Sequence, residues 1–169
     1  GGAIMTNDDE LAAKMRMIVN HGQSKRYYHD SIGVNSRLDA MQAAILKVKL
    51  KYLDDYNEAR RIVADRYDEA FSKSDKVTIP LRSEFSTHVF HQYTIKLADG
   101  VDRDGLNTFL AERGIPSMIY YPVPNHLQKA YSFYGYKQGD FKTTEDLCSR
   151  VISFPIHTEM DEHQQQIII

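Results

Sequence analysis

From Ser36 to Lys73 the chain contains neither glycine nor proline, and apolar or aromatic side chains recur at positions 38, 41, 45, 48, 52, 56, 59, 63, 67 and 70. Steps of three and four place them on one face of an α-helix. At ~1.5 Å per residue, roughly 35 helical residues span about 50 Å, longer than one small domain needs. The pattern therefore predicts a linking or interface helix over 36–73, with the end of one domain at 1–35 and a small α/β domain at 74–169. A coiled coil fits less well, because the stripe is not a strict heptad and the surrounding sequence is of α/β type.

On the N-terminal side, residues 3–5 are a short apolar run that reads as a strand. Asn7 with Glu10 has the form of a capping box, Leu11, Met15, Ile18 and Val19 follow at helical spacing, and Gly22 stands where a left-handed cap is usual. Residues 23–33, QSKRYYHDSIG, have no period and read as a loop. Ser36 and Asp39 form an S-x-x-D pair, which predicts that the long helix starts at Ser36 with Asn35 and Arg37 beside its first turn.

Beyond Pro80, HVFHQYTIKL (88–97) alternates with period two and predicts a strand, and DRDGLNTFLAERG (102–114) predicts a helix closed by Gly114. IPSMIYY (115–121) returns to strand and YPVPNH turns sharply, since proline cannot serve a sheet interior. Short helices are expected at 126–134 and 143–151, VISFP as a strand, and a last helix from Asp161. Strands separated by helices predict a small α/β sheet with crossover connections. GGAIMTND and HQQQIII read as interrupted elements, so the sequence is expected to be part of a longer chain.

Composition excludes several classes. Lys and Arg number 21 against 23 Asp and Glu, a net charge of −2 with no basic block, whereas backbone binding to nucleic acid needs clustered cations. The single cysteine, Cys148, cannot form an internal disulfide and is expected to be a buried, inert thiol beside Leu147 and Val151. No apolar run approaches a membrane span and no charged-then-apolar leader opens the chain, so a soluble, cytoplasmic protein is expected. His88 and His91 lie three apart on the predicted strand and would face opposite sides, and no H-x-x-x-H or cysteine cluster occurs, so no metal site is expected. GxGxxG and Walker loops are absent.

Two stretches could carry chemistry. Asn35 and Arg37 lie at a helix start, where unpaired N–H groups and the positive dipole end favour an anion. The amide can donate to a phosphate oxygen, and the guanidinium can take a carboxylate or phosphate bidentately. The competing reading makes Asn35 a turn residue and Arg37 a solvated side chain. In YYPVPNH, Tyr120 and Tyr121 end a strand, where ligands of α/β sheets bind, or else they are amphipathic edge residues.

In order along the chain, GGAIMTNDDELA, NHGQSKRYYHDSIGVNSRLDAMQAAIL, HVFHQYTI, YYPVPNHLQKAY and SFPIHTEM resemble the second half of a sugar-nucleotide aminotransferase of the DegT/DnrJ/StrS type. The most specific element is G-x-N-x-R-L-D-x-x-Q-A-A. The HGQ, RYYH and GVNSRLD wording is similar to members that aminate C3 of a UDP-linked 2-acetamido hexuronic acid for bacterial surface polysaccharide.

The resemblance implies the C-terminal part of a fold type I, aspartate aminotransferase-like enzyme: the end of the large domain, the long helix and the small domain. It implies pyridoxal 5′-phosphate, a homodimer, a nucleotide-sugar substrate and an amino donor, glutamate. The catalytic lysine would precede Gly1, so this chain alone is expected to be inactive. Asn35 would reach the cofactor phosphate of the other subunit. Arg37, Tyr120, Tyr121, His126, Arg26, Tyr27 and His29 would border the sugar nucleotide. Members often carry His-Tyr-Pro at the strand end, so Tyr121 carries over directly and Tyr120 only as a pocket neighbour. A dehydratase with histidine in place of the lysine, and a non-catalytic or regulatory α/β module, are the competing readings.

Overall fold

Aspartates decide where four helices begin. Asp8, Asp39, Asp102 and Asp161 each accept a first-turn N–H, from Leu11, Gln42, Gly105 and Gln164, at 2.8–3.0 Å. A carboxylate both satisfies an orphan donor and meets the positive end of the helix dipole. The outcome corrects two expectations. Helix α1 (Asp9–Val19) is capped by Asp8 instead of Asn7, and α2 (Ala40–Lys49) is capped by Asp39 instead of Ser36. At Asp161 the side chain of Gln164 returns a bond to the cap, completing a capping box in front of α6 (Glu162–Ile168).

The computed structural model describes residues 2–169, in two units, Gly1–Leu53 and Asp54–Ile169. In the first, residues 3–5 form no strand. After α1, residues 23–29 form a small antiparallel hairpin of β1 (Gln23–Lys25) and β2 (Tyr28–His29), where a loop was expected. After α2 the helical hydrogen bonding tightens to a 3₁₀ turn at Leu50–Tyr52, although the backbone stays right-handed, with φ −59° and ψ −28° at Leu50. Helix α3 then covers Leu53–Phe71.

In the second unit the apolar stripe finds its partner. Val63, Ala64 and Tyr67 of α3 are buried, and the Tyr67 ring lies 4.9 Å from that of Tyr93 and 5.5 Å from that of Phe71. The sheet has the order β3 (Val77–Thr78), β4 (Tyr93–Leu97), β5 (Val151–Phe154) and is wholly antiparallel, with Tyr93 opposite Phe154 and Ile95 opposite Ile152. This corrects the expected crossover sheet, because direct antiparallel pairing needs no parallel return. Tyr93, Ile95 and Leu97 alternate inward, as period two requires. Helices α4 (Arg103–Glu112) and α5 (Lys142–Arg150) complete the unit.

The strand predicted over 88–97 begins only at Tyr93. The Phe90 N–H is taken by Nδ1 of His88 at 2.8 Å, and Phe90 adopts φ +45°, which withdraws the segment from the ladder. His88 and His91 therefore do not lie on a strand. Arg60 of α3 fastens the segment, donating through Nη1 to the carbonyls of Phe90 and Ile156, both at 3.2 Å. The predicted strand at 115–121 shrinks to one bridge, Met118 to Ser153, because Pro116 and Pro122 remove two donors. The helix expected at 126–134 appears as 3₁₀ turns, Asn125–Leu127 and Lys129–Tyr134. Cys148 is half-buried, less enclosed than expected.

Candidate functional site

Asn35 is positioned by a backbone crossing at the end of α1. Val34 donates to the Ile18 carbonyl at 2.8 Å, Ser36 to Val19 at 3.0 Å, and His21 to Val34 at 3.0 Å, while Asn20 and Asn35 pair as an isolated bridge. Only glycines allow this approach. A Cβ on Gly33 would lie 2.1 Å from the Gly22 nitrogen, and one on Gly22, whose φ is +72°, would lie 1.8 Å from the Ser31 carbonyl oxygen.

The expected helix start beside Asn35 and Arg37 is not where the structure has it, since α2 begins at Ala40. Asn35 is bridged to Asn20 and Arg37 lies in irregular backbone, both ahead of the first turn of α2, so what they present is their side chains and not first-turn N–H groups. Nε of Arg37 donates to Oδ1 of Asn35 at 3.2 Å. That bond occupies the amide oxygen and leaves Nδ2 of Asn35 and both terminal nitrogens of Arg37 without a partner among the described residues. Both side chains are exposed. The result is a small fork of exposed donors.

The other expected residues of this unit are arranged around the hairpin. Arg26 and Tyr27 form its tip, with the guanidinium 4.9 Å from the Tyr27 ring centre and Tyr27 at φ +70°. His29 folds back, its Nδ1 lying 2.9 Å from the His21 carbonyl oxygen, so it braces the hairpin base.

In the second unit, Tyr120 and Tyr121 sit together, their rings 5.8 Å apart and near perpendicular. Tyr121 is the more exposed, at 68% against 36%. His126 is turned inward, its side chain 8% exposed, with Nε2 3.0 Å from Oε1 of Glu145 and its ring 4.8 Å from that of Phe141. Tyr121, His126, Phe141 and Cys148 help line a cleft of about 280 Å³.

Glu145 is the residue that sequence reading missed. It also accepts the N–H of Gly139, at 2.8 and 2.9 Å, and that of Phe141 at 3.4 Å. Burial pushes its carboxyl pKa up, but the Gly139 N–H, the His126 ring and the Phe141 N–H outweigh that and hold it below the ordinary glutamate range. Its only sequence signal is an acidic residue in the first turn of a helix, which is commonplace. Among the described residues no group of His, Cys, Asp and Glu could hold a metal.

This mixed α/β fold matches the C-terminal portion of a fold type I aminotransferase. The chain belongs to the DegT/DnrJ/EryC1/StrS aminotransferase family, whose pattern matches residues 1–169. It is 46% identical over its whole length to the pleiotropic regulatory protein of Geobacillus stearothermophilus, covering 45% of that protein. It is 42% identical to the UDP-N-acetyl-3-dehydro-α-D-glucosamine 3-aminotransferase of Acidithiobacillus ferrooxidans, over 97% of this chain and 43% of that one. A solved family aminotransferase from Brucella abortus superposes with a TM-score of 0.85 at 42% identity, over 96% of this chain and 43% of that one. The chain thus spans about half the length of these relatives.

Proposed function

We propose that this chain is the C-terminal half of a homodimeric, pyridoxal 5′-phosphate-dependent aminotransferase that moves an amino group from glutamate to a nucleotide-linked keto sugar. The observation that carries the proposal is the donor fork of Asn35 and Arg37, set within the family's most specific motif. The unpartnered amide and guanidinium donors suit a phosphate, so the residues present fit the cofactor. When bound, pyridoxal phosphate supplies the electron sink for amino transfer. Asn35 binds its phosphate from the neighbouring subunit, and the attachment lysine lies outside this chain, which by itself is inactive.

The free fork of Arg37 favours an acidic sugar, a UDP-linked 3-keto hexuronic acid, because a carboxylate matches both terminal nitrogens. Tyr121, with Tyr120 beside it, offers a ring face and a hydroxyl to the sugar, and Arg26 and Tyr27 project from the hairpin tip toward the nucleotide. A neutral sugar is the competing substrate, supported by the name of the Acidithiobacillus relative. A regulatory role is supported by the name of the Geobacillus one.

The full-length protein is the test. Reconstitution should give a visible cofactor band, and its absence would leave the regulatory reading. Asn35→Ala should lower cofactor affinity about tenfold, the loss expected for one charge-assisted hydrogen bond, with the dimer intact by light scattering. Unchanged affinity would reduce Asn35 to a turn residue. Arg37→Ala should raise KM more for an acidic keto sugar than for a neutral one; equal effects would exclude the carboxylate contact.

A further inference from the structure

The segment carrying Tyr120 and Tyr121 is fastened on both sides. On one side Met118 exchanges both backbone hydrogen bonds with Ser153 at the sheet edge, 3.1 and 2.8 Å. On the other, the chain enters a 3₁₀ turn at Asn125 and His126 meets Glu145. The same carboxylate holds the loop at 137–141 through Gly139, which has φ +97° and so presents its N–H where few other residues could. The Phe141 ring, brought in by that loop, closes the His126 side of the cleft that begins at Tyr121. With its side chain 18% exposed, Glu145 is not among the residues that line that cleft.

We infer that Glu145 is a positioning residue for the sugar nucleotide: through His126 and the 137–141 loop it fixes the turn that presents Tyr120 and Tyr121. The inference rests on the aminotransferase reading and extends it to a residue that touches no substrate. A carboxylate is suited to the task because Oε1 takes the His126 ring, Gly139 and Phe141 while Oε2 also takes the Gly139 N–H. A glutamine that keeps its oxygen at the Oε1 place sets an N–H₂ against the Gly139 N–H and offers the other two donors no charge. Loss of the charge loosens the His126 side and leaves the segment held from the Ser117 and Met118 side, and small displacements at a binding surface weaken productive binding strongly.

The test uses the full-length, cofactor-loaded dimer and a UDP-linked 3-keto sugar, with two variants. Glu145→Gln removes the charge, and His126→Phe, which keeps a ring but has no donor, cuts only the link to the turn while Glu145 keeps the Gly139 and Phe141 bonds, so that one stays folded if the first does not. Each folded variant should raise KM for the keto sugar about tenfold. The half-reaction with the amino donor alone, followed by loss of the visible cofactor band, should stay within about twofold of the parent. Unchanged KM in the folded variants overturns the inference, as does a parallel fall in the donor half-reaction, which would mark a general structural role. A parent without a cofactor band would remove the aminotransferase reading and this inference together, whereas a normal band with unchanged KM removes the inference alone.

Discussion

Gly33 shows how a residue without chemistry can govern one that has it. Its missing Cβ lets the chain pass within reach of the Gly22 nitrogen and the Ile18 carbonyl, and Asn35 stands two residues further on. Because the obstructing atoms are backbone, no rotamer change relieves a clash. Gly33→Ala should therefore lower cofactor affinity in the full-length protein by at least as much as Asn35→Ala, about tenfold or more, although it removes no contact. Titration of cofactor against the visible band would measure this, and near-parental affinity would mean that the crossing does not place Asn35. The sequence offered glycines and a motif here, and the motif singled out Asn35 and Arg37 as candidates. It did not reveal that Arg37 would hold the Asn35 oxygen, since that bond forms across residues 36 and 37, which are not helical although the helix was predicted to start at Ser36.

At the level of elements, local signals were read well and distant ones were not. The α4 and α6 starts and the β5 strand were legible because a capping aspartate or a run of β-formers lies within a few residues of what it determines. The strand at 88–92 failed because a histidine nitrogen competed for a ladder donor, and the one at 115–121 failed because it paired through a single residue. His126 and Glu145 are 19 residues apart, and no periodicity links them. Their pairing nonetheless has a pH signature. The Glu145 carboxyl is depressed in the folded state, so its contribution is fully present above the ordinary value of 4.5 and is lost as pH falls through the lower folded value. Amide protection at Gly139 and Phe141, measured by hydrogen exchange, should therefore drop on acidification below about pH 4.5. Glu145→Gln should remove that step. Asp146 is also depressed, by its bonds to Arg150 and Lys96, so overall acid stability would be a less selective measure. A protection profile in the variant that matches the parent would dissociate the loop from Glu145.

Over the whole molecule, the long apolar stripe divides in its fate. Its later part, Val63 and Tyr67, is core, whereas Met41, Ile45 and Val48 remain 77%, 61% and 58% exposed, with Ile4, Met5 and Val34 also exposed in the first unit. Helix α2 is apolar on several sides, the composition of a helix buried from more than one direction. Among the described residues no helix is long and apolar enough to cross a membrane. The 169-residue chain alone should therefore bind an apolar fluorescent dye strongly at neutral pH, and the full-length protein should not. Weak dye binding by the isolated chain would show that these side chains find cover within it.

The exposed face of α2 also sets how solutions of the isolated chain respond to salt. Attraction between charged patches fades as ions screen it, but attraction between apolar faces strengthens when sulfate is excluded from the protein surface. Light scattering of this nearly neutral chain should consequently show a second virial coefficient that turns more negative with added ammonium sulfate, and its solubility should be set by one short helix more than by its net charge.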